Sequence, residues 1–470
     1  MFGARKSITL VLCVALAAFT FGCDSSSGDG GSGGTAGTGG TAGTGGTGGM
    51  DDSPVIEMTA PTGGDPVQPG SVVIIEWTAT DDVGVTGVDL RYTTDAAGTV
   101  GDAVVIATDV QGSSYEWTTP DETLFGVTIK GVAKDASDQT GEDETEDIFA
   151  VVAHSERNYV QGATCGSCHT DHDQWVFQES GHPYKLNKVE GGVAPSYPNG
   201  PGVPEPPQDS TPPNLTWDDV TYVIGGYGWK ARFLGTDGFI IGTGFGDTGD
   251  GGNNQYNFVY DPPTWTNYHQ DDETPKPYDC GQCHTTGWVA DEDAETDDDL
   301  SDNQDGLPGI WGTFEEPGIS CEQCHGAGAR HVSTQSADDI TVDSSDELCG
   351  SCHNRGGLNT TIPASGGLPN TFIRHHEQYN EWQNSAHSAG DPTNAGCNDC
   401  HDSHIGTRYG FADMGGIITT CEDCHTEITS NAHVVPLDCV TCHMSQATKS
   451  AVPDPDTLLY VGDVKTHIFS

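Results

Sequence analysis

The sequence predicts a multidomain chain: an N-terminal all-β sandwich, then a longer, mainly α and irregular domain that carries a small β insertion. Three observations predict it. Residues 51–153 hold no cysteine and alternate apolar with polar residues in short runs bounded by turn residues. From Cys165 onward the spacing Cys-x-x-Cys-His recurs seven times. Only 34% of the 470 residues are hydrophobic against a formal net charge of -53, too few for a conventional apolar core over this length.

In chain order, residues 1–22 read as an export signal peptide, with Arg5 and Lys6 followed by the apolar run Ile8 to Phe21. The run is too short for a comfortable membrane span. Cys23 after Thr20-Phe21-Gly22 resembles a bacterial lipoprotein cleavage site. This implies a lipidated Cys23 and a membrane lipid anchor, with an ordinary cleaved signal as the alternative. Either way the expectation is an exported bacterial lipoprotein or periplasmic protein, in the periplasm, at the outer membrane or at the cell surface. Within residues 23–50, the Gly/Thr/Ser/Ala stretch from Ser25 to Gly49 behaves as a flexible tether spanning roughly 25–30 Å.

Residues 51–153 follow. Ser71 to Thr78 is a strand candidate, and Val88, Leu90 and Tyr92 alternate with polar neighbours as a half-buried strand does. Tyr115 to Trp117, Val127 to Ala133 and Ile148 to Val152 continue the pattern. The stretch resembles immunoglobulin-like modules, with Trp77 and Trp117 as core residues, and a Ca²⁺ site is one reading of Asp81, Asp82 and Asp135.

The seven motifs pair Cys165 with Cys168 before His169, Cys280 with Cys283 before His284, and Cys321 with Cys324 before His325. Cys349 and Cys352 precede His353, Cys397 and Cys400 precede His401, Cys421 and Cys424 precede His425, and Cys439 and Cys442 precede His443. Two thiols at this spacing form thioethers to both vinyl groups of one haem, and the next histidine reaches its iron. The seven copies use fourteen of the sixteen cysteines, which leaves none outside the leader for a disulfide. A zinc reading needs such pairs joined at finger-like spacing and does not account for a histidine after every second cysteine. Seven covalently bound haem c groups also resolve the shortage of apolar residues, because the macrocycles supply the core of residues 154–470. Their propionates add to an acidic surface. That argues against nucleic acid as a partner and suits cationic partners or metal ions.

Inside this domain, residues from about 183 to 268 form a cysteine-free insertion. Tyr222 to Leu234 and Phe239 to Thr243 flank Gly235-Thr236-Asp237-Gly238, a hairpin signal. Lys230 and Arg232 stand in it as partners for haem propionates or for an anionic substrate. Asp291 to Asp305 is an acid-rich loop. From Cys321 the first cysteines of successive motifs are 28, 48, 24 and 18 residues apart, room for one short helix and a loop each.

Trp175-Val176-Phe177-Gln178-Glu179-Ser180-Gly181-His182 and Trp382-Gln383-Asn384-Ser385-Ala386-His387 share a Trp-to-Ser-x-His pattern. With Cys324-His325-Gly326-Ala327-Gly328-Ala329-Arg330-His331 and the tail Gly462 to Phe469, these segments resemble multihaem cytochromes of the cytochrome c-554 and octahaem tetrathionate reductase kind. The resemblance covers roughly residues 158–470 and implies a haem-packed cytochrome domain. It implies His182, His331, His387, His433 and His467 as second axial ligands, with His404 and His269 next, while His154, His172, His375 and His376 stay undecided. If every iron carries two histidines, the expected function is electron transfer, with other redox proteins or extracellular electron acceptors as partners and self-assembly into filaments as a further expectation. If one iron is open, the chain is a multihaem oxidoreductase acting on a nitrogen or sulfur oxyanion (tetrathionate, nitrite or hydroxylamine). No Cys-x-x-Cys-Lys motif of the nitrite reductase type occurs.

Overall fold

The computed structural model describes residues 51–96, 99–170, 177–198, 206, 214–227, 230–244, 254–258, 263–269, 271–296, 299–354, 377–388, 394–406, 415–426, 439–444, 446–447 and 464–469. The leader, Cys23 and the tether lie outside them, as do Trp175, His172, His375, His376 and His433.

The N-terminal region is all-β, built from antiparallel sheets. In one, Val72–Thr80 lies between Val55–Ala60 and Ser114–Thr118. In the other, Leu124–Lys134 and Gly87–Thr93 are central, flanked by Phe149–Val151 and Val104–Val110. Thr140–Glu144 also pairs with Leu124–Lys134, along its C-terminal half, with Lys130 opposite Glu144. Along Val72–Thr80 every second side chain, Val73, Ile75 and Trp77, is buried, as strand alternation requires. Those residues meet Leu90, Ile129 and Phe149 from the facing sheet in one core. Trp117 packs on Tyr92 with ring centres 5.2 Å apart. Both tryptophans expected in the core are there.

Trp77 is 1% exposed. Trp77→Ala deletes a whole indole from a filled interior, so the sandwich is expected to lose about 3–5 kcal/mol of stability. Urea unfolding followed by circular dichroism checks this, and a loss below about 1 kcal/mol would mean that the site collapses around the missing ring.

Past residue 153 the chain has few helices, and those described are four to six residues long. The expected mainly α character reduces to single turns joined by irregular chain. The insertion is β, as expected, and the chain turns at Gly235–Gly238 as expected. The Gly235 N–H donates to the Phe239 carbonyl and the Ile241 N–H to the Phe233 carbonyl, both at 2.9 Å, but this hairpin is short and a longer one precedes it. The run from 222 to 234 is not one strand: Val220–Gly225 and Lys230–Gly235 are separate antiparallel strands. Gly225 and Gly226, with φ of 73° and 96°, turn the chain where an L side chain would be strained. Beyond Gly235–Gly238 the returning segment makes only a bridge, Leu234 to Ile240. The sheet is completed by Leu186–Lys188, Gln255–Asn257 and Thr264–Thr266.

The sandwich docks directly onto the second region. Ala150 and Val152 pack with Val160 and Ala329. The Ala150 N–H donates to Ser333 Oγ at 3.0 Å, and Arg330 pairs with Asp65 at 3.1 Å. The helix Ala329–Thr334, which carries His331, therefore leans on the last strand of the sandwich.

Candidate functional site

Each Cys-x-x-Cys-His motif forms about one turn of helix. The N–H of the motif histidine donates to the carbonyl of the first cysteine at 2.9 Å for His169, His353 and His401 and 2.8 Å for His425. In a helical turn, positions i, i+3 and i+4 share one face, so two thiols and an imidazole at this spacing can reach one group. That is the physical reason for the spacing.

Among the described residues, five motif histidines are faced by a histidine from elsewhere in the chain. The ring centres are 6.1 Å apart for His169 and His331, 6.4 Å for His353 and His182, and 6.2 Å for His325 and His404. They are 6.0 Å apart for His425 and His387 and 6.1 Å for His401 and His467. A metal–imidazole nitrogen bond is about 2 Å and the ring centre lies about 1 Å behind its nitrogen, so two imidazoles on opposite sides of one ion have centres about 6 Å apart. These five separations are those that two imidazoles sharing one ion would have.

Hydrogen bonding fixes the tautomers. His331 Nδ1 lies 2.8 Å from the Ser336 carbonyl and His325 Nδ1 lies 2.8 Å from the Thr341 carbonyl. A carbonyl only accepts, so Nδ1 carries the proton and Nε2 keeps the lone pair a metal needs. Burial pushes His182 down to about 3, helped by Lys185 and His353, and pushes His467 down to about 4, helped by His401 and His353. His401 and His387 are lowered as well, His401 by burial and His387 by burial and then His425. Burial thus disfavours the charged form of all four rings, and a histidine that binds a metal must be uncharged.

Local structure explains the Ser-x-His repeat. Ser385 Oγ donates to the Trp382 carbonyl at 2.7 Å and accepts the His387 N–H at 3.2 Å, closing a turn at the end of the helix Gln378–Gln383. Ser180 Oγ accepts the His182 N–H at 3.4 Å in the same way. Trp382 is held by its Nε1–H on the Ala395 carbonyl at 2.7 Å. The C-terminal segment threads between motifs: the His467 N–H donates to the buried Glu381 carboxylate at 2.6 Å and Lys465 Nζ to the Val440 carbonyl at 3.3 Å. Burial raises the Glu381 carboxyl to about 7 despite that N–H donor.

The motifs also lie beside one another. Cys165 lies beside Cys321, which with burial drives the Cys165 thiol up, and Cys397 is raised in the same way by Cys349. Cys283 Sγ faces the Cys352 carbonyl at 3.8 Å, and Cys352 Sγ faces the Gln282 carbonyl at 3.6 Å. Cys324 lies among Cys352, Cys349 and Cys321, Cys400 near Cys421 and Cys424, and Cys439 near Cys421.

Of the expected second ligands, the structure brings His182, His331, His387, His404 and His467 to motif histidines; His433 lies outside the described residues. His269 is not brought to any motif histidine. Its Nδ1 is 2.8 Å from Asp272 Oδ2 and its ring abuts Tyr268, in a half-exposed turn where its own φ is 52°. Arg232 spends its Nε–H on Gln255 Oε1 at 2.8 Å and stacks its guanidinium over Tyr268, within the β insertion. Sequence reasoning missed Glu322, a variable position inside the third motif. Its buried carboxylate accepts the N–H groups of Gly328 at 2.7 Å, Gln161 at 2.9 Å and Val160 at 3.0 Å. Burial keeps the carboxyl above its ordinary range although all three donors pull it down. Glu322 thus ties the approach to the first motif to the glycine turn that leads to His331.

The comparisons with known proteins can be set beside this geometry. Residues 54–140 match the bacterial Ig domain family. The outer cell wall cytochrome OcwA, a solved structure, is similar over 67% of this chain and 80% of its own, at 18% identity and a TM-score of 0.41. The fibronectin(III)-like modules of Clostridium thermocellum CbhA are similar over 20% of this chain and 44% of theirs, at 24% identity and a TM-score of 0.16. No curated protein sequence matches the chain. No helix among the described residues is long and apolar enough to cross a membrane.

Proposed function

We propose that the chain is a heptahaem c-type cytochrome that carries electrons along a row of bis-histidine haems. The observation that supports this most is the set of five motif histidines, each faced at 6.0–6.4 Å by a histidine from another segment. A haem held by two histidines takes up and releases one electron at its iron. The fourteen motif cysteines would hold the macrocycles. His169, His284, His325, His353, His401, His425 and His443 would bind on one side, with His331, His404, His182, His467 and His387 opposite five of them. His433 remains a proposed ligand for one of the other two, His284 or His443.

The cross-linking of segments suits conduction. His182, just after the first motif, serves the fourth; His331, after the third, serves the first; His404, after the fifth, serves the third. With the neighbouring thiols, this suggests the order first, third, fourth, fifth, sixth, seventh, with the second motif branching from the fourth. Imidazoles on both sides close an iron to substrate, so each such pair removes a place where an oxyanion could react. The Ig-like domain and the acidic surface fit a bacterial surface or extracellular carrier, anchored through Cys23, that passes electrons to redox proteins or extracellular acceptors.

Electron paramagnetic resonance of the air-oxidised protein tests the proposal. Seven low-spin ferric haems are the expected result. A high-spin signal that shifts on adding nitrite or hydroxylamine would overturn the pure carrier in favour of the reductase, and a protein without covalent haem would overturn both.

A further inference from the structure

At one end of the Ig-like sandwich, remote in sequence from the motifs, three carboxylates converge without a counter-ion. Asp51 opens the domain, Asp81 follows Val72–Thr80, and Asp135 follows Leu124–Lys134. One oxygen from each lies within 4.8 Å of the others.

Two of these carboxylates are anchored by the loops that carry them. Asp81 Oδ2 accepts the N–H groups of Val83 at 2.9 Å and Gly84 at 2.8 Å. Asp135 Oδ1 accepts those of Ser137 and Gln139, both at 2.8 Å. Gln139 reaches back with its Nε2–H to the Asp51 carbonyl at 2.9 Å, which draws the start of the domain to the same place. Of the other carboxylate oxygens, Asp51 Oδ1, Asp81 Oδ1 and Asp135 Oδ2 are buried and have no hydrogen-bond partner. Asp135 is only 3% exposed. Among the described residues no ion pair reaches any of the three, and nearby Lys134 is engaged by Asp89 and Asp109.

A buried carboxylate oxygen with no donor is costly, and three pointing together repel one another unless a cation lies between them. The loops orient one oxygen of Asp81 and one of Asp135 toward backbone donors and leave the other free. We infer that Asp51, Asp81 and Asp135 bind one Ca²⁺ ion that fastens the beginning of the sandwich to its two loops. An all-oxygen donor set suits a hard cation, and Ca²⁺–oxygen distances of about 2.3–2.6 Å set a coordination shell about 5 Å across, which matches the cluster. Mg²⁺ demands a tighter octahedron at about 2.0–2.1 Å and keeps most of its water, which buried, loop-anchored carboxylates do not favour. The site draws on Asp51, which the sequence did not single out. Asp82 instead accepts the Asp52 N–H at 3.2 Å through Oδ1.

The test is calorimetric titration of Ca²⁺ into the chelator-stripped full-length haem protein, in buffer containing KCl and excess Mg²⁺ to suppress diffuse binding by the acidic surface. One saturable Ca²⁺ per chain is expected. Its affinity should fall at least tenfold in Asp81→Asn and in Asp135→Asn, and should be unchanged in Asp82→Asn. Asp135 also caps its own loop, so Asp51→Asn serves as the second variant should Asp135→Asn fail to fold. Absence of a saturable site in the parent protein, a site filled by Mg²⁺ in preference to Ca²⁺, or binding unaltered in the folded variants would each overturn the inference.

Discussion

On the proposed assignment, replacing His331 by glycine is expected to turn one of the seven proposed ferric haems high-spin and leave the others unchanged. The ring of His331 faces His169 at 6.1 Å, and its Nδ1–H is held by the Ser336 carbonyl, so Nε2 is the nitrogen left for the proposed iron. Glycine removes the imidazole with little disturbance, because His331 lies in a short helix already supported by Ala329 against the sandwich and by Ser333 on the Ala150 N–H. A gain of high-spin signal worth about one-seventh of total haem is the expected magnitude. Added imidazole should restore the low-spin form, since it can occupy the space left by the side chain. An unchanged spectrum would mean that the first motif's iron takes another ligand, and the proposed order of haems would lose its first member.

The second large effect is expected at Glu322. Glu322→Ala leaves the N–H groups of Val160, Gln161 and Gly328 without their acceptor in a buried place. Each unmade bond costs about 1–3 kcal/mol, so the combined loss is on the order of 3 kcal/mol or more. Glu322→Gln retains one accepting oxygen but turns an N–H₂ toward a donor, and an intermediate loss is expected. Thermal unfolding of the haem-loaded protein, followed by far-ultraviolet circular dichroism and the Soret band, gives the comparison. Equal unfolding temperatures for Glu322→Ala and the parent would show that water satisfies the three donors. If the loop linking the first and third motifs loosens, as the bonding implies, the His169 and His331 pair should weaken first.

Legibility differed by element for physical reasons. Val72–Thr80 could be read because one face is core and the other solvent, so burial imprints a period of two on the residues. Thr140–Glu144 has the sequence TGEDE and no buried face, and Val104–Val110 is mostly exposed; as sheet margins they carry no such imprint and were not anticipated. In the insertion, apolar residues recur on both sides of Gly225 and Gly226, so residues 222–234 read as one run, whereas the backbone reverses after that glycine pair.

The candidate site divides in the same manner. The sequence by itself determined where the fourteen thiols and seven motif histidines lie, because that geometry is local: one helical turn carries two thiols and an imidazole on one face. It also singled out His182, His331, His387 and His467 through neighbouring serine, glycine and terminal patterns, and His404 by its nearness to a motif. Only the tertiary structure decided which histidine faces which. His182 meets His353 and His467 meets His401 through contacts between segments distant in the chain, and no local preference encodes a partner. The same holds for Glu322 and for the three aspartates of the sandwich. A buried carboxylate is conspicuous only once the donors it meets, or the donors it lacks, have been brought around it by the fold.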